Sequence, residues 1–510
     1  MFFRSLFIVM IMMLAAKLLP AQTIVYSEPD RDDLRNLNFT IAGKIDDHFL
    51  VVKNVRSDFN ITVFDNDMKM VDKVKLAFMP DRVISTDILA YKNYFYMFYQ
   101  YQKRSVIYCM AAKFNGDGKM MSDPIELDTT AINFLSNNKI YSVINSEDKQ
   151  RIAIFKINSK NDDNYSVTTV LFDAGLNRIK KSLLHIPMPD RNDFLTEFAV
   201  SNAGDIVFAR ASGTNQSENI NKMSLVTKKP LEDSISYSDI DISKIYLDDI
   251  RIKINNANRH YLITSYFSKT KRGNIDGLFC SLWDAQLQKE VFNKATTFSN
   301  EFRASAKTDG NSRAALNDFF LQDIVMRKDG GFVIASEAAY SSSRGGSNYN
   351  RWDYMYGSSP YWTPSDSYLY GNPYGYGNYP WGRAGYNNSQ ITRYYADNIA
   401  VMSFDSTAGL EWANVIPKSQ YDDNTDNFIG FGTLKTSDEV HFLFNELERR
   451  TLILSDQSIS PAGQVQRNPT LHNLDRGYDF MPRYAQQVGS HELIVPCQYR
   501  NFVCFAKIDF

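Results

Sequence analysis

The sequence predicts an all-β protein made by repeating one four-stranded antiparallel unit, and three observations lead there. The stretch from Lys139 to Met188 shows a unit whole: "KIYSVINS", "RIAIFKI", "YSVTTVLFD" and "RIKKSLLHIPM" are short runs rich in Ile, Val, Tyr and Phe. Turn-forming Asn, Asp, Gly and Ser part them, as in a meander. A turn followed by an apolar run then recurs as "DDHFLVV", "KNYFYMF", "DKQRIAIF", "NAGDIVFA", "NRHYLIT", "DGGFVIA", "EVHFLF" and "SHELIV". Finally, an aromatic residue just before Asp or Asn opens a hairpin at "VFDNDMKM", "KFNGDGKM", "LFDAGLNR", "LWDAQLQK" and "SFDSTAGL", with "LSDQSISPAG" a looser copy. Its ring is expected to pack between sheets.

The recurring apolar run is the second strand of each unit, and most steps between copies are roughly fifty residues. A lone meander cannot bury both its faces, so each unit must stack on others. Eight copies imply eight units. In the fourth, the hairpin motif has decayed to "SLVTKKPL" from Ser224. The last unit, "YDFMPRYAQQ", "HELIVPCQY" and "FVCFAKIDF", holds three strands, while "TIVYSEP" from Thr23 offers a spare one near the N-terminus. A C-terminal sheet completed by an N-terminal strand closes a ring and removes its free edges. The expected fold is therefore an eight-bladed β-propeller, with seven blades as the alternative. The repeats resemble the general β-propeller class across residues 22–510, read as a single domain. They match no particular family: WD occurs at Trp283–Asp284 and Trp352–Asp353, not once per repeat. A membrane barrel is disfavoured, because "HFLVV" and "RIAIF" are short and apolar on both faces, whereas barrel strands alternate apolar and polar sides.

Composition narrows the function. Lys plus Arg total 56 against 58 Asp plus Glu, a net charge of −2. That argues against general attraction to nucleic acid or anionic membranes. Residues 1–21 read as a secretory signal peptide: Arg4, then "LFIVMIMMLAA", then "LPA" before Gln22. Lys17 interrupts the apolar run and opposes its use as an uncleaved anchor. No second long apolar run follows, so no transmembrane segment is expected beyond it. The "LPAQ" ending is similar to signal peptides of Bacteroidota, which implies a periplasmic address, peripheral to the outer membrane at most.

Cys497 and Cys504 flank "QYRNFV", and a tight turn at Arg500–Asn501 would set them opposite one another on paired strands. A disulfide and two buried thiols are both open readings there. Cys109 and Cys280 read as core thiols. His48, His260, His441 and His491 all fall at the start of a second strand, so repeat packing explains them better than metal binding does. "DND" at Asp65–Asp67 and "NGDG" at Asn115–Gly118 lack the distal Glu of a calcium loop and coincide with hairpin turns. "SDIDIS" around Asp239 and Asp241 suits an outer edge strand. No nucleophile, Walker or zinc-protease motif occurs. The expectation is a non-enzymatic chain with no catalytic residue, metal or cofactor.

One segment departs from the pattern. Residues 340–395, between the second and third strands of the sixth unit, hold thirteen of the 30 Tyr and three of the five Trp amid Gly, Ser and Asn. Tyr and Trp bring large contact area at small entropy cost. Trp352, Tyr354, Tyr356, Tyr361, Trp362, Tyr376 and Trp381 are therefore the candidate partner-binding residues. They would clasp a protein of a cell-envelope assembly, or, in the alternative reading, stack on carbohydrate in a glycan-binding or glycan-cleaving propeller. The long connection "NEFRASAKTDGNSRAAL" should lie on the same face of the same unit.

Overall fold

The computed structural model describes residues 22–510 apart from 31–36, 56, 133–138, 161–162, 191, 214–219, 272, 308–315, 317, 344–391, 424, 449–450, 469–476 and 501. The expected signal peptide lies outside the described residues. A short strand, β1 (Thr23–Tyr26), comes first. The first sheet follows as β2 (Leu37–Ile45), β3 (His48–Val55), β4 (Asp58–Phe64) and β5 (Met70–Lys75). The second is β6 (Val83–Ala90), β7 (Tyr94–Lys103), β8 (Val106–Asn115) and β9 (Ile125–Ala131). The third is β10 (Ser142–Asn145), β11 (Arg151–Lys160), β12 (Asn164–Asp173) and β13 (Arg178–Pro187), the meander expected over Lys139–Met188.

The fourth unit is β14 (Asp193–Val200), β15 (Ile206–Gly213), β16 (Ile220–Lys228) and β17 (Ile235–Ile240). The fifth is β18 (Tyr246–Leu247), β19 (Arg251–Asn255), β20 (His260–Ser268), β21 (Gly277–Asp284) and β22 (Lys289–Thr297). These two units share one nine-stranded sheet, because Leu247 of β18 pairs with both Ile220 and Phe267. After helix α1 (Asn300–Ala306) come β23 (Phe319–Met326), β24 (Phe332–Ser343), β25 (Thr392–Phe404) and β26 (Leu410–Asp423). The next sheet is β27 (Phe431–Lys435), β28 (Val440–Glu448), β29 (Thr451–Ile459) and β30 (Val465–Arg467). The last holds β31 (Tyr478–Phe480), β32 (Gln486–Gln487), β33 (Glu492–Tyr499) and β34 (Phe502–Asp509).

All ladders among the described strands are antiparallel, and the fold is all-β and propeller-like. Strands divided among separate sheets are the opposite of a barrel's continuous one. The last unit departs from expectation, since its first strand is two short pieces parted by a 3₁₀ turn at Pro482–Tyr484. Pro482 has no N–H for a ladder and breaks the strand there.

Burial explains the stacking. Second strands are buried on both faces, as in "HFLVVKNV" of β3 and "HYLITSYFS" of β20, whereas the fourth strand β5 is mostly exposed. Among the described residues the apolar core falls into eight clusters, seven of them drawn from two successive units. The eighth joins Phe39, Phe49 and Phe64 of the first sheet to Ile494, Val503 and Phe505 of the last. At that same boundary β1 pairs with β34, Thr23 opposite Asp509 and Tyr26 opposite Ala506. Asp30 then bridges Val503 and meets buried Lys53 of the first sheet.

The hairpin motif has a definite physical basis. The Asp65 carboxylate accepts from the backbone N–H groups of Asp67 and Lys69; Asn115, Asp173 and Asp405 repeat this arrangement in their own turns. One residue in each turn takes a left-handed φ: Met68 at 56°, Gly118 at 71°, Leu176 at 62° and Ala408 at 55°. The aromatic ahead of the cap is buried against the second strand: Phe95 stacks on Phe114 at 5.1 Å and Phe332 on Phe404 at 5.1 Å. In the fourth unit, where the motif has decayed, buried Lys228 donates to the Lys229 carbonyl at 3.0 Å. The looser copy is displaced from its expected place. Asp456 lies within β29, and the turn is capped by Ser460, whose hydroxyl accepts from Gln464 while Gly463 takes φ 81°. Phe404→Ala is expected to cost about 3–5 kcal/mol and Asp405→Ala about 1–3 kcal/mol, as shifts of the urea midpoint.

Ion pairs span several boundaries between units: Lys44 to Glu492 at 2.8 Å, Lys139 to Asp87 at 2.8 Å, Arg251 to Glu197 at 3.1 Å and Lys435 to Asp323 at 2.6 Å. The most buried such cluster holds the second and third sheets together. Asp128 there accepts from Lys156 at 2.7 Å, Lys181 at 2.6 Å and the Tyr141 hydroxyl at 3.0 Å. Burial opposes ionisation of Asp128, but hydrogen bonds from both lysines outweigh it and hold the carboxyl below its ordinary 3.8. A depressed carboxyl stabilises the fold above its unfolded pKa and loses that contribution as pH falls through the folded one. Asp128→Asn is expected to cost about 3–5 kcal/mol at neutral pH. The gap from wild type should shrink below about pH 4, as read from unfolding midpoints at both pH values.

Candidate functional site

The sixth unit carries the longest arm of the molecule's described strands. β24, β25 and β26 run for 12, 13 and 14 residues. Their pairing continues outward through Tyr340↔Tyr395 and Ser343↔Thr392, and through Arg393↔Asp423 on the other side. The insertion expected at 340–395 is therefore narrower than its composition suggested. Both its ends are strand, because Tyr, Ser and Thr pair across the ladder there, and residues 344–391 remain between them. Trp352, Tyr354, Tyr356, Tyr361, Trp362, Tyr376 and Trp381 lie outside the described residues.

At its root the arm is locked. Glu337 of β24 and Lys418 of β26 reach across the middle strand to meet at 2.6 Å with almost no solvent exposure. Lys418 Nζ also donates to the Ala396 carbonyl at 2.8 Å and to Gln420 Oε1 at 2.9 Å. Burial pushes the Lys418 ammonium down in spite of its pairing with Glu337. Bulges at Glu337/Ala339 and Asp397/Ile399 twist the arm, and Pro417 in β26 deters a further strand from adding to that edge. Helix α1 supports the same place: Ser299 caps it by accepting from the Phe302 N–H, and Asn398 Nδ2 donates to the Ala306 carbonyl at 3.0 Å. Helix α1, from the connection before this unit, thus packs beside β25 and β26.

Toward the tip the side chains become accessible. Tyr340 and Tyr395 stack at 4.5 Å with their planes 11° apart. Burial and the neighbouring Asp397, which accepts from the Tyr340 hydroxyl at 3.0 Å, push the Tyr340 phenol up. Tyr421, 61% exposed, has the Arg393 guanidinium over its ring at 4.4 Å. Arg393 makes two hydrogen bonds to Asp423, at 2.7 and 3.1 Å, and holds that carboxyl below its ordinary range. Flat rings and a forked cation held in place form a platform suited to contact with another surface. Sequence reading missed Arg393 and Tyr421, which flank or lie beyond the Tyr-rich segment. It missed Glu337 and Lys418 as well, for which the available signal is a charge set inside the apolar runs "VIASEAAY" and "ANVIPKSQ".

The other sequence candidates fall into structural roles. His48 and His260 sit 3.7 Å from the turn carboxylates of Asp117 and Asp284, and His441 is 3.1 Å from buried Asp456. Among the described residues no three His, Cys, Asp or Glu side chains are grouped to hold a metal ion. Asp239 lies in the outer strand β17 and Asp241 just beyond it. Both line a polar cleft of about 530 Å³ beside the fourth unit. Its carboxylates already have partners: Asp239 accepts from Ser224, Asp190 pairs with Lys222, Asp241 accepts from the Ser243 N–H and Asp193 from the Asp190 N–H. Cys109 and Cys280 are buried thiols. No helix among the described residues is long and apolar enough to cross a membrane.

No protein-family model matches the chain, and no curated protein does. Among solved structures it is similar to a prolyl endopeptidase, at 9% identity over 92% of this chain and 55% of that one, with a TM-score of 0.41. The chain thus spans about half that protein's length. It is similar to an ulvan lyase, a polysaccharide lyase, at 9% identity over 82% and 90% of the two chains, with a TM-score of 0.36. It is also similar to an apocarotenoid oxygenase of Synechocystis, at 7% identity over 73% and 72%, with a TM-score of 0.33. Likenesses this loose assign neither substrate nor chemistry to this chain.

The contrast between root and tip is measurable. Lys418→Ala, which removes the buried cation that meets Glu337 at 2.6 Å, is expected to cost about 3–5 kcal/mol. Arg393→Ala at the exposed tip should leave the urea midpoint close to that of wild type. Urea midpoints of the two variants against wild type check both.

Proposed function

We propose that the chain is an eight-bladed β-propeller, closed by β1 on the last blade, that acts without catalysis as a docking module for a protein assembly of the bacterial periplasm. The eight core clusters, one of which joins the last sheet to the first, support the blade count and the closure. The observation that carries the docking role is the arm. It is locked at its root by Glu337 and Lys418 and ends in the Tyr340, Tyr395, Tyr421 and Arg393 platform. From that platform the Tyr- and Trp-rich segment 344–391 departs, and in this reading it makes the main contact through Trp352, Trp362, Trp381 and the tyrosines between them.

Aromatic anchors on a rigid base lose little entropy on binding. The signal-like residues 1–21 support export, and an envelope protein is the partner class that an exported scaffold would meet. Carbohydrate is the second reading, favoured by the accessible Tyr421 ring at the arm's tip.

The test replaces 344–391 by a short Gly-Ser linker between Ser343 and Thr392. Cross-linking in envelope extracts and a glycan array then compare this variant with wild type. Loss of one defined protein partner, with the circular dichroism spectrum and urea midpoint unchanged, is the expected result. An unchanged partner set overturns the docking reading. Loss of a glycan signal alone transfers the site to carbohydrate.

A further inference from the structure

The hairpin that receives β1 carries two thiols face to face. Arg500, at φ 56°, opens the two-residue turn between Tyr499 and Phe502, the backbone setting of a tight hairpin. Tyr499 and Phe502 form the hydrogen-bonded pair that closes this turn. Gln498 and Val503 are then a non-hydrogen-bonded pair, and Cys497 and Cys504 a hydrogen-bonded one. Such a pair sets its Cα atoms about 5.5 Å apart, inside the roughly 4.4–6.8 Å that a disulfide spans. Both residues have no solvent exposure, and their Sγ atoms lie 2.8 Å apart. The Cys504 thiol is also 3.3 Å from the Cys497 carbonyl. Cys109 and Cys280, in contrast, are buried in β8 and β21 of different sheets.

We propose that Cys497 and Cys504 are the chain's oxidation site and join as a cross-strand disulfide when folding takes place beside a disulfide carrier. The step balances as two exchanges. One cysteine thiolate attacks the carrier's S–S bond, forming a mixed disulfide and releasing one carrier thiolate. The second cysteine thiolate then attacks the protein sulfur of that mixed disulfide and expels the other carrier thiolate. Both cysteines lose a proton, and two electrons pass to the carrier. Burial pushes the Cys497 thiol well up in the packed hairpin, so exchange belongs to the stage before the hairpin is covered. The bond ties β33 to β34, and β34 is the strand against which Thr23–Tyr26 docks. Oxidation would therefore fasten the acceptor of the N-terminal strand.

The test uses the full chain, unfolded in guanidinium and refolded with either an oxidised and reduced glutathione mixture or excess reductant. Each sample is acid-quenched, alkylated under denaturing conditions and weighed. Two alkylated cysteines after oxidising refolding, four after reducing refolding, and a peptide linking 497 to 504 are expected. Cys504→Ser should then show three alkylated cysteines in both conditions. Four alkylated cysteines in both wild-type samples, a lasting glutathione adduct, or a link through Cys109 or Cys280 overturns the proposal. None of these outcomes depends on what the arm binds.

Discussion

The constraint on which the rest of this structure depends is that each sheet is apolar on both faces and must be covered twice. The second strand β20 has eight consecutive buried residues after His260, where a one-sided sheet would alternate. One neighbour can cover only one face. A chain of such sheets therefore leaves its terminal faces in water unless its ends meet. Here the first and last sheets share Phe39, Phe64, Met481 and Phe505 in one cluster. The N-terminal strand and Asp30 cover the same seam.

Apolar packing sets how strongly the sheets associate but says little about which face meets which. The charged groups between units add that selectivity. Asp128 takes two lysines from the next unit, and Glu197 takes Arg251 across its own boundary. Pairs of this kind contribute modestly to stability, yet a wrong neighbour would strand a buried charge. Glu337 and Lys418 apply the same logic within one sheet, holding three long strands in register where the chain leaves the repeat. The arm thus combines a buried, ion-paired root with an accessible tip.

Much of the fold was legible because its signals are local. The cap at Asp65, Asn115, Asp173 and Asp405 needs one side-chain oxygen and two nearby N–H groups, all within five residues, so it leaves a mark in sequence. Local reading failed where the turn is held differently. In the fourth unit Lys228 donates to a turn carbonyl, whereas the caps accept from turn N–H groups, and Ser460 carries the cap beyond the end of β29. It also failed at the last unit's first strand, where Pro482 interrupts an otherwise strand-like run, and at Tyr246–Leu247, whose two residues fuse neighbouring units. The aromatic cluster at the arm's tip was half visible. Aromatic density marked the segment, but Arg393 and Tyr421 become neighbours only through the register of β25 and β26.

By itself the sequence determined the kind of unit, the places of its second strands and the chemistry of its turns. Each of these follows from interactions among residues close along the chain. Tertiary structure alone decided which faces share a core, the register that sets Thr23 opposite Asp509 in the expected pairing, and that Glu337 meets Lys418. Those pairings join residues far apart in sequence. They are selected by the need to cover apolar faces and buried charges, which no single stretch of sequence expresses.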